Sequence, residues 1–274
     1  MLKQRVITAI ILAMVFLSAL FFLPPAAWVA LMVVMVLYGL LEWARLAKFS
    51  STGTYIYLGL SFFFTLAIVW INVAYSAQAE FLHMLIYSVA AVLWIAIVPA
   101  WMIGGWQVRQ PQLMAVLGWM LLIPTGLAMV DLRQQDAWLL LSIMGLVWVA
   151  DIAAYFAGRK FGKHKLAPSI SPGKTWEGVV GALIGVTLYV LVLGWVSGFF
   201  ELQTTLLGMV LLSAWLGAGL SVIGDLFESA IKRQAGVKDS GTILPGHGGL
   251  LDRIDALTST LPIAAGVLLL QKIL

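Results

Sequence analysis

Cysteine is absent from the 274-residue chain, and charged side chains make up only 10% of it. Without cysteine there is no disulfide framework, no thiolate zinc site and no cysteine nucleophile. Soluble domains carry about 25% charged residues, so the low charge excludes a water-exposed surface of ordinary size and also excludes intrinsic disorder. Hydrophobic residues instead reach 62%. The surface of this protein is therefore expected to face lipid.

Long apolar runs fill most of the chain. A helix needs about 20 apolar residues to cross the hydrocarbon core of a bilayer. The first run is interpreted as a retained membrane helix, since Pro24 and Pro25 lead into the next run without a small-residue cleavage site. The sequence predicts an all-α, polytopic integral membrane helix bundle, a single domain over residues 1–274 with about nine transmembrane helices. The predicted spans are at about 6–23, 26–44, 55–73, 81–103, 112–130, 137–157, 178–198, 203–224 and 257–271.

The distribution of basic residues predicts the orientation. A cytoplasmic N-terminus leaves only Arg133 and Lys272 of the 16 Lys and Arg on the outer side. Because cytoplasmic loops are enriched in Lys and Arg, the pattern favours an N-in, C-out topology in the cell (inner) membrane. The two longest polar connections, at about 158–177 and 225–256, are then cytoplasmic. Their basic residues suit either a substrate site or simple attraction to anionic lipid.

Acidic residues are concentrated in the second polar connection. If the preceding helix continues, Asp225, Glu228 and Lys232 lie on one of its faces, and Asp252 and Asp255 share a face at the start of the last helix. Two facing carboxylate pairs suit Mg²⁺, which takes one or two carboxylates and completes its shell with water and substrate phosphates. The alternative is a set of helix-surface salt bridges, such as Glu228 with Lys232.

A glycine-rich segment separates the two acidic pairs. Glycine allows backbone N–H groups to approach a ligand closely, so this segment is able to wrap phosphates. The segment is not a P-loop, because no Gly-Lys-Ser/Thr follows at the required spacing. His247 is a candidate general acid or phosphate donor, with a turn residue as the alternative, whereas His83 is expected to be interfacial. The glycines are Gly236, Gly241, Gly246, Gly248 and Gly249, and the flanking cations are Lys232, Arg233, Lys238 and Arg253.

The first polar connection and the helix before it hold a second group of candidates. Asp151 falls within an apolar run, and an ionisable group at membrane depth is by default a functional-site hypothesis. Lys174 and Thr175 precede the next helix, whose free N–H groups suit an anion. Ordinary capping by Ser171 or Thr175 explains the same residues equally well.

The motifs of the C-terminal half resemble a known signature, that of the CDP-diacylglycerol synthases (phosphatidate cytidylyltransferases). The Asp151 to Arg159 stretch and the run from Ser171 to Gly178 also look like segments of this family, so the resemblance covers the whole chain. Its matching positions are Ser229, Lys232, Arg233, Lys238, Asp239, Gly241, Leu244, Pro245, His247, Gly248, Gly249, Asp252, Arg253 and Asp255.

The resemblance implies an enzyme that converts CTP and phosphatidic acid into CDP-diacylglycerol and pyrophosphate. It also implies dependence on Mg²⁺, allows a K⁺ ion beside it and a homodimer, and involves no nucleic acid. Its implied catalytic residues are Asp225, Asp252, Lys232, Lys238 and His247. The implied metal ligands are Asp225, Asp252, Asp255, Asp151 and Glu228, and the implied substrate-binding residues are Ser171, Lys174, Thr175, Arg159, Arg233, Asp239, Gly248, Gly249 and Arg253.

Two other functions are compatible with parts of the sequence. One is a CTP-dependent transferase that acts on another lipid phosphate or on a polyprenol. The other is a transporter, which predicts polar groups spread through the bundle and discontinuous helices at the midplane. The collection of charge at one face of the predicted bundle disfavours transport.

Overall fold

The computed structural model describes residues 2–198, 206–243 and 248–273. Within these ranges the protein is a bundle of helices. The helices are α1 (Leu2–Phe22), α2 (Pro25–Leu46), α3 (Ser51–Ala74), α4 (Ser76–Val92), a π-helical turn (Leu93–Ile97), α5 (Val98–Gly104), α6 (Pro111–Gln135), α7 (Ala137–Phe161), α8 (Trp176–Val196), α9 (Leu207–Ala235) and α10 (Leu251–Ile273).

Eight helical segments of the described ranges are long and apolar enough to cross a membrane. One of them, Gln78–Gly104, combines α4, the π turn and α5. In α1 the apolar stretch Ile7–Phe22 is shorter. The predicted helical membrane bundle is therefore confirmed. Within the described residues each predicted span falls on these helices, and residues 203–205 of the span at about 203–224 lie outside them.

Two helix ends differ most from the predicted spans, and both differences affect the polar region. Helix α9 continues to Ala235 instead of ending near 224, and α10 begins at Leu251 instead of near 257. Hydropathy marks only the lipid-facing part of a helix, so it misses polar turns that extend beyond the apolar run. Much of the predicted loop 225–256 is thus helix, and the connection itself is reduced to residues 236–250. The end of the bundle at this connection is called the loop end below.

The first polar connection also contains structure that the sequence did not predict. Strands β1 (Lys165–Ala167) and β2 (Ser171–Thr175) form an antiparallel hairpin, with Lys165 opposite Thr175 and Ala167 opposite Ser171. The Glu177 carboxylate accepts a hydrogen bond from the His164 backbone N–H at 3.2 Å and lies 2.6 Å from His164 Nδ1. This contact closes the hairpin between α7 and α8.

Close helix contacts hold the bundle together at the loop end. A Cβ atom on Gly224 of α9 would lie 2.7 Å from the Asp255 carbonyl oxygen and 3.2 Å from Ala256 Cα of α10. Ser259 Oγ also donates to the Leu220 carbonyl at 2.8 Å, which links the same two helices. Because glycine leaves room for backbone to meet backbone, α9 brings Asp225 next to the first turns of α10.

His83 is buried, not interfacial as expected. Only 8% of the residue is exposed, its Nδ1 lies 2.7 Å from Asp131 Oδ2, and Tyr87 donates to the same oxygen at 2.7 Å. These side chains join α4 to α6 at the end of the bundle opposite the loop end. Position near a helix start does not reveal such a partner, because Asp131 lies 48 residues away.

Candidate active site

Five carboxylates and two lysines meet at the loop end. The carboxylates come from α7, α9 and α10, while one lysine comes from the hairpin and the other from α9. If all are ionised, five negative and two positive charges leave a formal excess of three negative charges. The acidic residues are Asp151, Asp225, Glu228, Asp252 and Asp255, and the lysines are Lys174 and Lys232.

Asp225 connects the hairpin to α9. Its Oδ2 lies 2.6 Å from Lys174 Nζ, and its Oδ1 accepts a hydrogen bond from Ser229 at 3.4 Å. Thr175, which follows Lys174 in the hairpin, caps α8 by accepting a hydrogen bond from the Gly178 N–H at 3.1 Å. The capping alternative therefore holds for Thr175, whereas Lys174 points to the acidic cluster.

Glu228 and Asp255 form the buried part of the cluster. The two side chains are neighbours, and Lys232 Nζ lies 3.3 Å from Glu228 Oε2. Both Glu228 oxygens are buried, and neither accepts a hydrogen bond from the residues that the structure describes. A cavity of about 20 Å³ adjoins Glu228 and Asp255, which is room for one water-sized occupant. Apart from the Lys232 ammonium beside Oε2, the buried Glu228 carboxylate has no donor among the described residues, and such a group suits a cation.

Asp151 completes the cluster from α7. The residue is exposed, and its carboxyl group lies within electrostatic range of Asp225, Asp255 and Lys174. The prediction made from Asp151, an acidic residue at membrane depth, and the prediction made from the acidic pairs therefore point to the same site. The structure brings Asp151, Asp225, Glu228 and Asp255 together although they come from three helices.

Asp252 differs from the other carboxylates because its oxygens already have protein partners. Its Oδ1 lies 2.6 Å from Lys232 Nζ, and its Oδ2 accepts from the backbone N–H groups of Ser240 and Gly249, both at 2.8 Å. Ser240 Oγ also lies 3.0 Å from Oδ2. These contacts organise the 236–250 connection and orient Lys232; the role of Asp252 as a metal ligand stays a prediction.

The remaining predicted residues lie at the same end of the bundle as the cluster. Arg159, Arg233, Lys238, Asp239 and Arg253 are exposed at the loop end, and Ser171 is partly buried at the start of β2. Their positions leave them accessible to a ligand that arrives from water.

Two loop features have conformational explanations. Gly236 (φ 80°) and Gly248 (φ 81°) adopt left-handed backbone that favours glycine. Gly249 donates to Asp252, so its N–H is committed within the protein. His247, Pro245 and Gly246 lie outside the described residues.

One residue of this region was missed. Glu42 of α2 is fully buried and accepts hydrogen bonds from Ser240, Leu250 and Leu251 of the 236–250 connection and α10. The signal that singled out Asp151, an acidic residue inside an apolar run, was equally present at Glu42 within the predicted span 26–44.

The described residues contain no group of three or more His, Asp or Glu side chains already arranged to hold a metal ion. Mg²⁺ does not need such a group, because it takes one or two carboxylates and fills its shell with water and phosphate oxygens. The excess negative charge and the buried Glu228 carboxylate, which accepts no hydrogen bond from the described residues, fit a hard divalent cation of this kind.

The fold and site together define a polytopic membrane protein with an acidic, lysine-lined site at one end of its helix bundle. The model of the cytidylyltransferase family matches residues 3–271. The chain therefore belongs to the cytidylyltransferase family.

Its relatives include two proteins that match along nearly the whole chain and one that matches along about half of it. A phosphatidate cytidylyltransferase of Pseudomonas aeruginosa is 39% identical, covering 98% of this chain and 97% of the relative. One from Haemophilus influenzae is 35% identical, with 96% of each chain covered. One from Staphylococcus aureus is 42% identical over 52% of this chain and 53% of its own length.

Proposed function

We propose that the protein is a membrane-bound nucleotidyltransferase that transfers CMP from CTP to phosphatidic acid and forms CDP-diacylglycerol and pyrophosphate. The observation that carries the proposal is the match, along nearly the full chain, to relatives named phosphatidate cytidylyltransferase. The two lysines support it because both substrates carry phosphate anions. The acidic cluster supports it because carboxylates would hold the Mg²⁺ that neutralises those phosphates. The membrane bundle supports it because one of the substrates is a lipid.

The reaction is an in-line substitution at phosphorus. A phosphate oxygen of phosphatidate forms a bond to the α-phosphorus of CTP, while the bond between that phosphorus and the oxygen bridging to the β-phosphate breaks. Pyrophosphate leaves with the electron pair of the broken bond. A phosphomonoester has a second pKa of about 6, so the attacking group is largely dianionic at pH 7. No strong general base is therefore needed.

The main barrier is the repulsion between two polyanions. Phosphoryl transfer is catalysed chiefly by positioning and by neutralisation of charge. Lys232 is oriented by Asp252, and Lys174 is held beside Asp225. We assign these two lysines to the phosphates at the centre of the reaction. The exposed cations Arg159, Arg233, Lys238 and Arg253, with Ser171, are assigned to the outer phosphates and the lipid headgroup.

Asp225 and Asp255, with Asp151 and Glu228 beside them, are the residues that would hold Mg²⁺. When bound there, Mg²⁺ would neutralise charge on the CTP phosphates. Asp252 is assigned to the orientation of Lys232, since its oxygens have protein partners. A K⁺ ion, a homodimer and a role for His247 remain predictions of the resemblance.

The N-in, C-out orientation in the inner membrane is part of the proposal. It places the loop end at the cytoplasmic boundary, where cytosolic CTP meets phosphatidate in the bilayer. The basic residues at the loop end support this orientation. Arg133, on the opposite side, is held by the Leu20 and Leu23 carbonyl oxygens.

The proposal is tested with purified protein in detergent–phosphatidate micelles. CTP and Mg²⁺ are added, and pyrophosphate release and lipid-linked cytidylate are followed together, with ATP in place of CTP and with EDTA as controls. We expect both products only with CTP, phosphatidate and Mg²⁺. Turnover only with another lipid phosphate or a polyprenyl phosphate would change the acceptor. No nucleotide turnover with any lipid would contradict the proposal and favour transport.

A further inference from the structure

Glu42 is a fully buried carboxylate near the C-terminal end of α2, and it binds a connection about 200 residues away in sequence. Its Oε1 accepts from the Leu250 N–H at 3.0 Å, and its Oε2 accepts from the Leu251 N–H at 2.9 Å. Ser240 Oγ lies 3.0 Å from the same Oε2. A carboxylate buried without such donors is very costly, so these contacts fix both Glu42 and the backbone that it binds.

The backbone around Glu42 is shaped to fit the carboxylate. A Cβ atom on Gly249 would lie 2.5 Å from each of the two Glu42 carboxylate oxygens. A Cβ atom on Gly241 would lie 3.0 Å from Glu42 Cδ. Real Cβ atoms do not approach so closely, so a side chain at either position would displace the carboxylate or the loop. Two glycines of the 236–250 connection thus serve contact with Glu42.

Glu42 also takes the place of a local cap for α10. The first N–H groups of a helix have no partner within the helix, and a carboxylate there interacts favourably with the helix dipole. Here the Leu250 and Leu251 N–H groups donate to a carboxylate on α2, which is a different helix. The start of α10 is therefore held at a fixed place relative to α2.

The same contacts continue to the proposed catalytic lysine. Ser240 Oγ lies 3.0 Å from both Glu42 Oε2 and Asp252 Oδ2. Asp252 in turn holds Lys232 at 2.6 Å. Displacement of Glu42 would move Ser240 and the first turn of α10 together, and with them the carboxylate that orients Lys232.

From these contacts we infer that Glu42 is a positioning residue for the reaction, one that sets the place of Asp252 and Lys232 through Ser240 and the start of α10. The inference rests on the proposed function of Lys232 and of the acidic cluster. A misplacement of about 1 Å costs roughly 10²-fold in rate, so loss of this anchor is expected to reduce turnover more than substrate binding.

The test compares Glu42→Gln with Tyr87→Phe. Gln is nearly isosteric but presents an NH₂ group to backbone donors that need an acceptor. Tyr87→Phe removes a buried hydrogen bond to Asp131 at the opposite end of the bundle, so it controls for a general loss of stability. For each folded, purified variant, kcat and KM for CTP and phosphatidate are measured, together with amide hydrogen exchange in peptides that cover 248–256.

We expect Glu42→Gln to lower kcat by roughly 10- to 100-fold, to change either KM by less than about threefold, and to accelerate exchange at 248–256. Tyr87→Phe is expected to keep the wild-type kcat and the wild-type exchange in that segment. Glu42→Asp retains the charge on a shorter side chain and is expected to recover part of the lost kcat.

Asp255→Asn is measured in parallel to separate two kinds of failure. Wild-type kcat per folded Glu42→Gln enzyme, with Asp255→Asn inactive, would overturn the positioning role while leaving the proposed site intact. Wild-type kcat in both variants would contradict the proposed site itself. A Glu42→Gln variant that loses only thermal stability, with normal kcat, would also overturn the inference and reduce Glu42 to a structural residue.

Discussion

Lys174 on the hairpin and Asp225 on α9 form an ion pair, with 2.6 Å between Nζ and Oδ2. Both side chains are partly exposed, at 22% and 32%. One member of the pair is assigned to a substrate phosphate and the other to Mg²⁺. In the absence of both ligands, each therefore serves as the counterion of the other.

Lys174→Ala is expected to lower maximal turnover and also to lower the Mg²⁺ concentration that the enzyme needs. Removal of the cation lowers maximal turnover by roughly 10²-fold, because a phosphate loses its partner. It also frees Asp225, so the Mg²⁺ concentration for half-maximal activity falls. The measurement is a Mg²⁺ titration of pyrophosphate release, with Lys174→Arg as the charge-preserving control. An unchanged Mg²⁺ midpoint would show that the pair does not compete with the ion.

Asp252→Asn is expected to abolish turnover while the protein still inserts and purifies. Asn has a single acceptor oxygen, so it is unable to hold Lys232 and the Ser240 and Gly249 N–H groups together. The expected loss in kcat is roughly 10²-fold or more, with the elution profile of the purified protein unchanged. Near-normal turnover would remove Asp252 from the site.

Asp225→Asn and Asp255→Asn are expected to lose activity at every Mg²⁺ concentration tested. Each removes a carboxylate from the proposed ion site, and the expected loss in kcat is roughly 10²- to 10³-fold. Glu80→Gln provides the control, since it removes a carboxylate that pairs with Lys272 far from the loop end. Full activity that survives EDTA in the Asp variants would contradict the assignment of the ion.

Gly249→Ala is expected to destabilise the protein by about 1–3 kcal/mol, since the new Cβ collides with the Glu42 carboxylate. Gly219→Ala in α9 is the matched control, because a Cβ there meets nothing within 4 Å and Ala favours helix over Gly by about 1 kcal/mol. Thermal unfolding of both variants in the same detergent gives the comparison. Equal unfolding temperatures would show that the loop adapts at no cost.

Much of the fold was predictable because lipid imposes one simple rule on a helix. An apolar run of sufficient length marks each span, and in the described parts of the chain each predicted span falls on a helix. The polar turns at the ends follow no such rule. The extension of α9 to Ala235 and the early start of α10 at Leu251 depend on tertiary contacts, such as those made by Gly224 and Glu42.

The acidic cluster was predictable in its members but not in their arrangement. Helical spacing placed Asp225, Glu228 and Lys232 on one face, and α9 confirms that they share a helix. Spacing did not reveal that Asp252 would be used by the loop itself, because its partners are backbone N–H groups. The hairpin escaped notice for a similar reason, since its strands are only three and five residues long.

The anchoring of the 236–250 connection by Glu42 has a consequence for protein engineering. The family signature lies in the C-terminal half of the chain, yet one of the groups that shape it belongs to the second helix. A graft of residues 224–255 into an unrelated helical bundle would carry every signature residue and would still leave the Leu250 and Leu251 N–H groups without their acceptor. The proposed catalytic segment is therefore not a portable module, and a successful transplant requires an inward-facing carboxylate from the recipient.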